Sequence, residues 1–295
     1  MSEGFLTKAP DNKKGFTQKD LFYPAGNVLY EFLDLNGEQI YFICHEPPHH
    51  IARATVIIAR PFGHERTWAY LTLTRWARFL AMSGLRAVTF DYRGCGESSG
   101  SFEDFTFEEW EEDLKSIIGI CQERFPGNII FLSGLRFGGI LASRVFSRQL
   151  GDGLLLWNSP DSAHSMLREI LRVKLSIEAA TEISAEKPSR RKDIADLESN
   201  RKIYVLGQFW TPRLWNSSFL CTLRRPDERE VRPWIEMHIN SRTTAQIRDH
   251  PHIINVQNTI PSFWNSLPTL NPDVDDLFIQ SRNWILNVVN TTEQK

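Results

Sequence analysis

Phe131-Leu132-Ser133-Gly134-Leu135-Arg136-Phe137-Gly138-Gly139 is the stretch whose reading decides the fold of this chain. The short apolar run Asn128–Leu132 leads into it with strand character, and a helical pattern over Phe137–Leu150 leads out. Glycines on both sides of the middle residue suit a sharp strand-to-helix turn of the G-x-S-x-G kind, which holds that residue exposed. Here the residue is Arg136. A guanidinium carries no hydroxyl and stays protonated, so nucleophilic acyl transfer from this position is excluded.

On the N-terminal side, Ala54–Ala59 and Leu85–Phe90 are short unbroken apolar runs, and Gly153–Trp157 is another downstream. Such runs fit strands of a parallel sheet buried on both faces. Between them, Trp68–Met82 carries an apolar helical stripe stopped by Gly84. Phe107–Phe125 opens at Thr106 with Glu109 placed as in a capping box, and Pro126-Gly127 ends it. Two alternating segments, Val28–Leu33 and Gln39–Cys44, meet at Asn36-Gly37 as a hairpin would. Strand alternating with helix predicts a mostly parallel α/β sheet led by an antiparallel hairpin.

The rhythm changes after Asp161. Ser165–Ala180 reads as a long amphipathic helix, Asp193–Ser199 as a second helix, Ile203–Phe209 as a short strand, and Pro212 as the start of another helix. The sheet resumes with Val231–Ile239 and Ile253–Val256 and closes with a helix over Val274–Val289. The expected organisation is a polar tail over 1–26, a core over 27–160, a cap inserted over 161–229 after the sixth strand, and the rest of the core over 230–290.

Composition bounds the function. The chain has 295 residues, 41% hydrophobic and 24% charged, ordinary values for a globular core. Its 34 basic residues against 36 acidic ones give no reason to expect nucleic acid or an anionic membrane as partner. Cys44, Cys95, Cys121 and Cys221 show no metal-ligand spacing and read as reduced thiols. A polar N-terminus and the lack of any long apolar run predict a cytoplasmic chain without an integral membrane segment. We expect no metal and no cofactor.

Asp91-Tyr92-Arg93-Gly94-Cys95-Gly96-Glu97-Ser98-Ser99-Gly100 follows the fourth strand and matches a D-x-R-G-x-G-x-S-x-G loop. With the turn at Arg136, in this order, the chain resembles the α/β-hydrolase superfamily. That resemblance implies an α/β-hydrolase fold, a mostly parallel sheet flanked by helices with a cap insertion. It also implies oxyanion-hole amides at Phe62, in the Arg60-Pro61-Phe62-Gly63-His64 segment, and at Phe137. The acid and histidine of a triad would follow the two last strands. The chain there reads Asn240-Ser241-Arg242-Thr243-Thr244 and Pro261-Ser262-Phe263-Trp264-Asn265, with neither. His250 and His252 precede the last strand and read as surface residues.

A closer likeness rests on the GLRFGG elbow, the DYRGCGESSGSFEDFTFEEWEEDL block, LLLWNSPDSAHSMLREILRVKL, IYVLGQFWTP and IPSFWN. Over roughly residues 28 to 290 the chain is similar to the exosortase A system-associated hydrolase 2 group. Its relatives are encoded beside machinery that sorts surface proteins and builds exopolysaccharide. At one place where that group has two acidic residues, this chain has His64-Glu65.

Three readings follow. In the first, the degenerate triad leaves an anion-binding elbow, where Arg136 with the Phe62 and Phe137 amides holds an anionic or acyl ligand near Gly63, His64 and Glu65, lined by Asp161, Trp210, Phe263 and Trp264. Its plainer counterpart has Arg136 paired with an internal carboxylate, Glu65 or Asp161, closing the old pocket. In the second, an ester or thioester hydrolase uses displaced groups: His64 and Glu65 with Cys95, Ser133 or Ser159. In the third, Trp210, Trp215, Phe219, Trp234 and Trp264 form an apolar groove of a non-catalytic interaction module for an acyl chain or protein segment, unless they are core.

Overall fold

Asn36-Gly37 has positive φ at both residues, 58° and 87°, the turn that matches the right-handed twist of a two-residue hairpin. It joins β1 (Val28–Leu35) to β2 (Glu38–His45). Beyond the hairpin, strand and helix alternate: β3 (Ala54–Ala59), α1 (Gly63–Met82), β4 (Arg86–Phe90), α2 (Phe107–Arg124), β5 (Ile129–Leu135), α3 (Phe137–Phe146) and β6 (Gly153–Trp157). These come from a computed structural model that describes residues 27–48, 51–181, 189–239, 251–256, 262–265 and 274–294.

After β6 the chain leaves the large sheet and forms α4 (Ala163–Thr181), α5 (Arg190–Glu198), a hairpin of β7 (Ile203–Val205) and β8 (Gln208–Trp210), and α6 (Pro212–Ser217). It returns as β9 (Trp234–Ile239) and β10 (Ile253–Val256), and ends in α7 (Asp275–Glu293). The large sheet has eight strands in the order β1-β2-β4-β3-β5-β6-β9-β10. The first pairings, β1 with β2 and β2 with β4, are antiparallel, and the rest are parallel.

Every residue of β3 is buried, because both faces of the sheet are covered. Ile57 and Ala59 point into the layer that holds α2, α3 and the inserted segment. Val56 and Ile58 point into the layer that holds α1 and α7. The period-two alternation of a strand sends neighbours to opposite faces, so one six-residue run serves both cores. Trp157 on β6 is stacked on Phe278 of α7 and donates its indole N–H to Ser281 at 3.0 Å, which ties α7 to the sheet.

Several elements differ from the expectation. Ile203–Phe209 is two strands, because Leu206 and Gly207, with φ of 45° and 97°, turn the chain back on itself. Helix α1 starts at Gly63 rather than Trp68, with Phe62 as its N-cap, so His64 and Glu65 lie in a helical first turn. Helix α3 stops at Phe146, short of Leu150.

Candidate functional site

The turn between β5 and α3 is held by packing that only glycine permits. A Cβ on Gly138 would lie 2.0 Å from the Ala59 carbonyl oxygen, and one on Gly134 would lie 2.4 Å from Gly139 Cα. Close approach of the three segments throws the residue between them into φ 54°, ψ −118°, a region that costs a non-glycine residue about 1–3 kcal/mol. That residue is Arg136. Its N–H donates to the Trp157 carbonyl at 2.9 Å, which locks the turn to β6.

Arg136 is the N-cap of α3, and its side chain reaches the first turn of α1. Helix N-termini favour negative charge, so a cation there needs carboxylates. Two supply them. Nε donates to Glu65 Oε1 at 3.0 Å, and Nη2 donates to Glu169 Oε2, on α4, at 2.6 Å. The guanidinium carbon also lies 5.9 Å from the centre of the Trp264 ring, which packs edge-on to Phe263. Burial alone would pull the guanidinium down, but Glu65 and Glu169 outweigh it and hold Arg136 above its ordinary value.

The carboxylates are unequal. Glu65 is wholly buried, and burial, opposed by Arg136, pushes its carboxyl up from 4.5 to about 7. Glu169 is 41% exposed. His64, packed edge-on against Trp68, is pushed down to about 4 by burial and then by the charge of Arg136. Among the described residues neither nitrogen of His64 has a hydrogen-bond partner, nor does Glu65 Oε2, nor Ser159 Oγ, which sits where a Cβ on Gly139 would fall. A buried polar group left so costs about 1–3 kcal/mol.

The expected site residues are therefore brought together only in part. His64, Glu65, Arg136 and Trp264 meet, with Gly63 beside Glu65 and close to Gln208 of β8. Phe62 and Phe137 frame the turn, but their rings pack into an aromatic cluster with Phe107, Trp110 and Trp210. Trp210 is buried in that cluster rather than lining an open pocket. Asp161 is a correction: its side chain is 84% exposed and pairs with Arg225 at 3.0 Å. The sequence reading singled out Glu65 as a partner for Arg136 but missed Glu169, which no local pattern on an amphipathic helix marks as reaching the elbow.

The displaced-nucleophile candidates fare differently. Cys95 is pushed up to about 12 by burial, leaving almost no thiolate. Ser133 is buried within β5. The proposed aromatic groove does not form: Trp210, Trp215, Trp234 and Trp264 are core, and only Phe219 is exposed. His252 is partly exposed, stacked on Trp234 with its Nδ1 2.9 Å from the Trp234 carbonyl. Residues 240–250 and 257–261, which hold the expected triad-acid position and His250, lie outside the described residues.

A cleft of about 400 Å³ between Phe146 and the 224–231 loop lies at the other end of α3 from the elbow. Among the described residues no cluster of His, Cys, Asp and Glu could hold a metal ion, and no helix is long and apolar enough to cross a membrane.

Residues 51–204, just over half of the chain, match the family model described as serine aminopeptidase, S33. No curated protein sequence matches. Among solved structures, Est1E from Butyrivibrio proteoclasticus with bound ferulic acid superposes with a TM-score of 0.58 at 14% identity, over 88% of this chain and 99% of that one. A soluble variant of monoglyceride lipase from Saccharomyces cerevisiae, complexed with a substrate analogue, gives 0.56 at 16% identity, over 90% and 98%. At such identities the likeness is one of fold, and that fold is the α/β-hydrolase fold, with its mostly parallel sheet flanked by helices.

Proposed function

This chain belongs to the serine aminopeptidase S33 family of α/β hydrolases, and we propose that its elbow binds an anionic or acyl ligand instead of forming an acyl-enzyme. One observation carries the reading: the turn keeps its glycine packing and its strained backbone, yet presents a guanidinium joined to two carboxylates. Serine-type acyl transfer needs a hydroxyl and a base to take its proton, and an arginine supplies neither. In the sequence, the stretches after Ile239 and Val256 bring no carboxylate within five residues and no histidine before Asn265. The triad is degenerate on this reading, and residues 161–229 act as the cap over it.

Within the family, the arginine elbow and the IYVLGQFWTP and IPSFWN segments support the exosortase A system-associated hydrolase 2 group as its setting. A second reading, ester or thioester hydrolysis by a displaced nucleophile, draws on Ser159, whose buried Oγ has no partner among the described residues and sits against the first turn of α3.

Labelling with a fluorophosphonate probe tests both. The wild type and Arg136→Ser should stay unlabelled, because restoring a hydroxyl does not restore its base. Labelling of the wild type that disappears in Ser159→Ala would replace the binding reading with the displaced hydrolase.

A further inference from the structure

Glu65 and Glu169 hold the same guanidinium from different parts of the molecule. Glu65 belongs to α1, whose inner face is core, and its side chain is 1% exposed. Glu169 is delivered by α4, in the segment inserted between β6 and β9, and is 41% exposed. The first is fixed in place by the core. The second faces water, so another carboxylate can take its place on Nη2.

The surroundings say more about what would replace it. His64 lies close enough to feel the charges of both Arg136 and Glu169, is buried, and has both ring nitrogens free of partners among the described residues. A neutral imidazole offers one donor and one acceptor, so a hydroxyl suits it in either tautomer. Glu65 Oε2, also without a partner, is purely an acceptor while the carboxylate is ionised, and the protonated carboxyl can also donate. The buried rings of Phe263 and Trp264 supply an apolar side.

We propose that Glu169 is a built-in stand-in for the ligand: a hydroxylated carboxylate with a short apolar tail displaces it from Arg136, its hydroxyl pairs with His64, and α4 lets go of the elbow. This rests on the ligand-binding reading and narrows it. Removing an internal competitor raises apparent affinity by the reciprocal of the fraction of time the site stands free, roughly threefold to tenfold for a site free about a third to a tenth of the time.

The test is titration of the full chain with 2-hydroxyhexanoate and with hexanoate, read by tryptophan fluorescence and confirmed by calorimetry. Wild type, Glu169→Gln and Arg136→Gln are compared, with a circular dichroism melt to show that each is folded. The expected result is saturable binding of 2-hydroxyhexanoate by the wild type, tightened in Glu169→Gln and lost in Arg136→Gln, with hexanoate weaker throughout. Wild-type binding that Glu169→Gln leaves unchanged or weakens overturns the stand-in while leaving the ligand site intact. Equal binding of the two acids overturns the role given to His64. No binding by either wild type or Glu169→Gln overturns the ligand reading itself, and the stand-in with it.

Discussion

Glutamine in place of Glu65 keeps the bulk that Arg136 Nε touches and removes the charge. In the folded chain burial raises Glu65 from 4.5 to about 7 against the pull of Arg136. A group raised on folding adds stability that is complete below its unfolded value and is lost as pH climbs through its folded value. The interval is about 2.5 pH units at about 1.4 kcal/mol each, so ionising Glu65 costs the fold roughly 3 kcal/mol between pH 4.5 and 7. His64 runs the other way. Burial and Arg136 lower it from 6.5 to about 4, so its contribution is complete above 6.5 and is lost as pH falls through 4. In the wild type the two slopes largely cancel over their common range.

The Glu65→Gln variant removes one slope and exposes the other. Urea unfolding of both proteins at several pH values from 4.5 to 8 should show the variant gaining on the wild type by about 3 kcal/mol as pH rises, with the gain complete just above 7. Other titrating groups, such as Asp113, contribute equally to both proteins and drop out of the difference. Parallel stability curves would refute the reasoning, because they would mean that Glu65 ionises in the folded chain as freely as in the unfolded one.

Arg136→Ala should destabilise the fold by about 3–5 kcal/mol at pH 8, where it strands the ionised Glu65, and by clearly less at pH 5, where that carboxyl takes up a proton; urea titration at both values checks it. Gly138→Ala should cost about 3 kcal/mol, since its Cβ would lie 2.0 Å from a backbone oxygen of β3, and an unchanged melting temperature would contradict the packing. Burial pushes the thiols of Cys95, Cys121 and Cys221 up to about 12, and that of Cys44 higher. Iodoacetamide at pH 8 should therefore leave the native protein almost unmodified and alkylate all four cysteines in urea, as counted by intact mass.

The sheet was legible because burial on both faces writes itself as unbroken apolar runs: Ala54–Ala59 and Gly153–Trp157 are strands to the residue. The β7–β8 hairpin was not, since a Leu206-Gly207 turn inside IYVLGQF hides in an apolar stretch that reads as one strand. In the site, Arg136 was visible from its glycines and Glu65 from its nearness to β3. Glu169 was invisible, because which carboxylate of α4 reaches the elbow depends on how that helix packs, and helical periodicity does not encode it. Asp161 looked plausible from its place after β6, yet Arg225, distant in sequence, takes it.

The elbow's backbone is fixed at three points: glycine contacts on either side and an amide bonded to β6. A mounting so rigid does not adjust to what it carries. Exchanging the residue at position 136 alters charge, reach and hydrogen-bonding capacity while the scaffold stays in register. In such a fold a change of chemistry at the turn needs no change of architecture, because the strained backbone sets where the side chain points and the side chain alone sets what it can do.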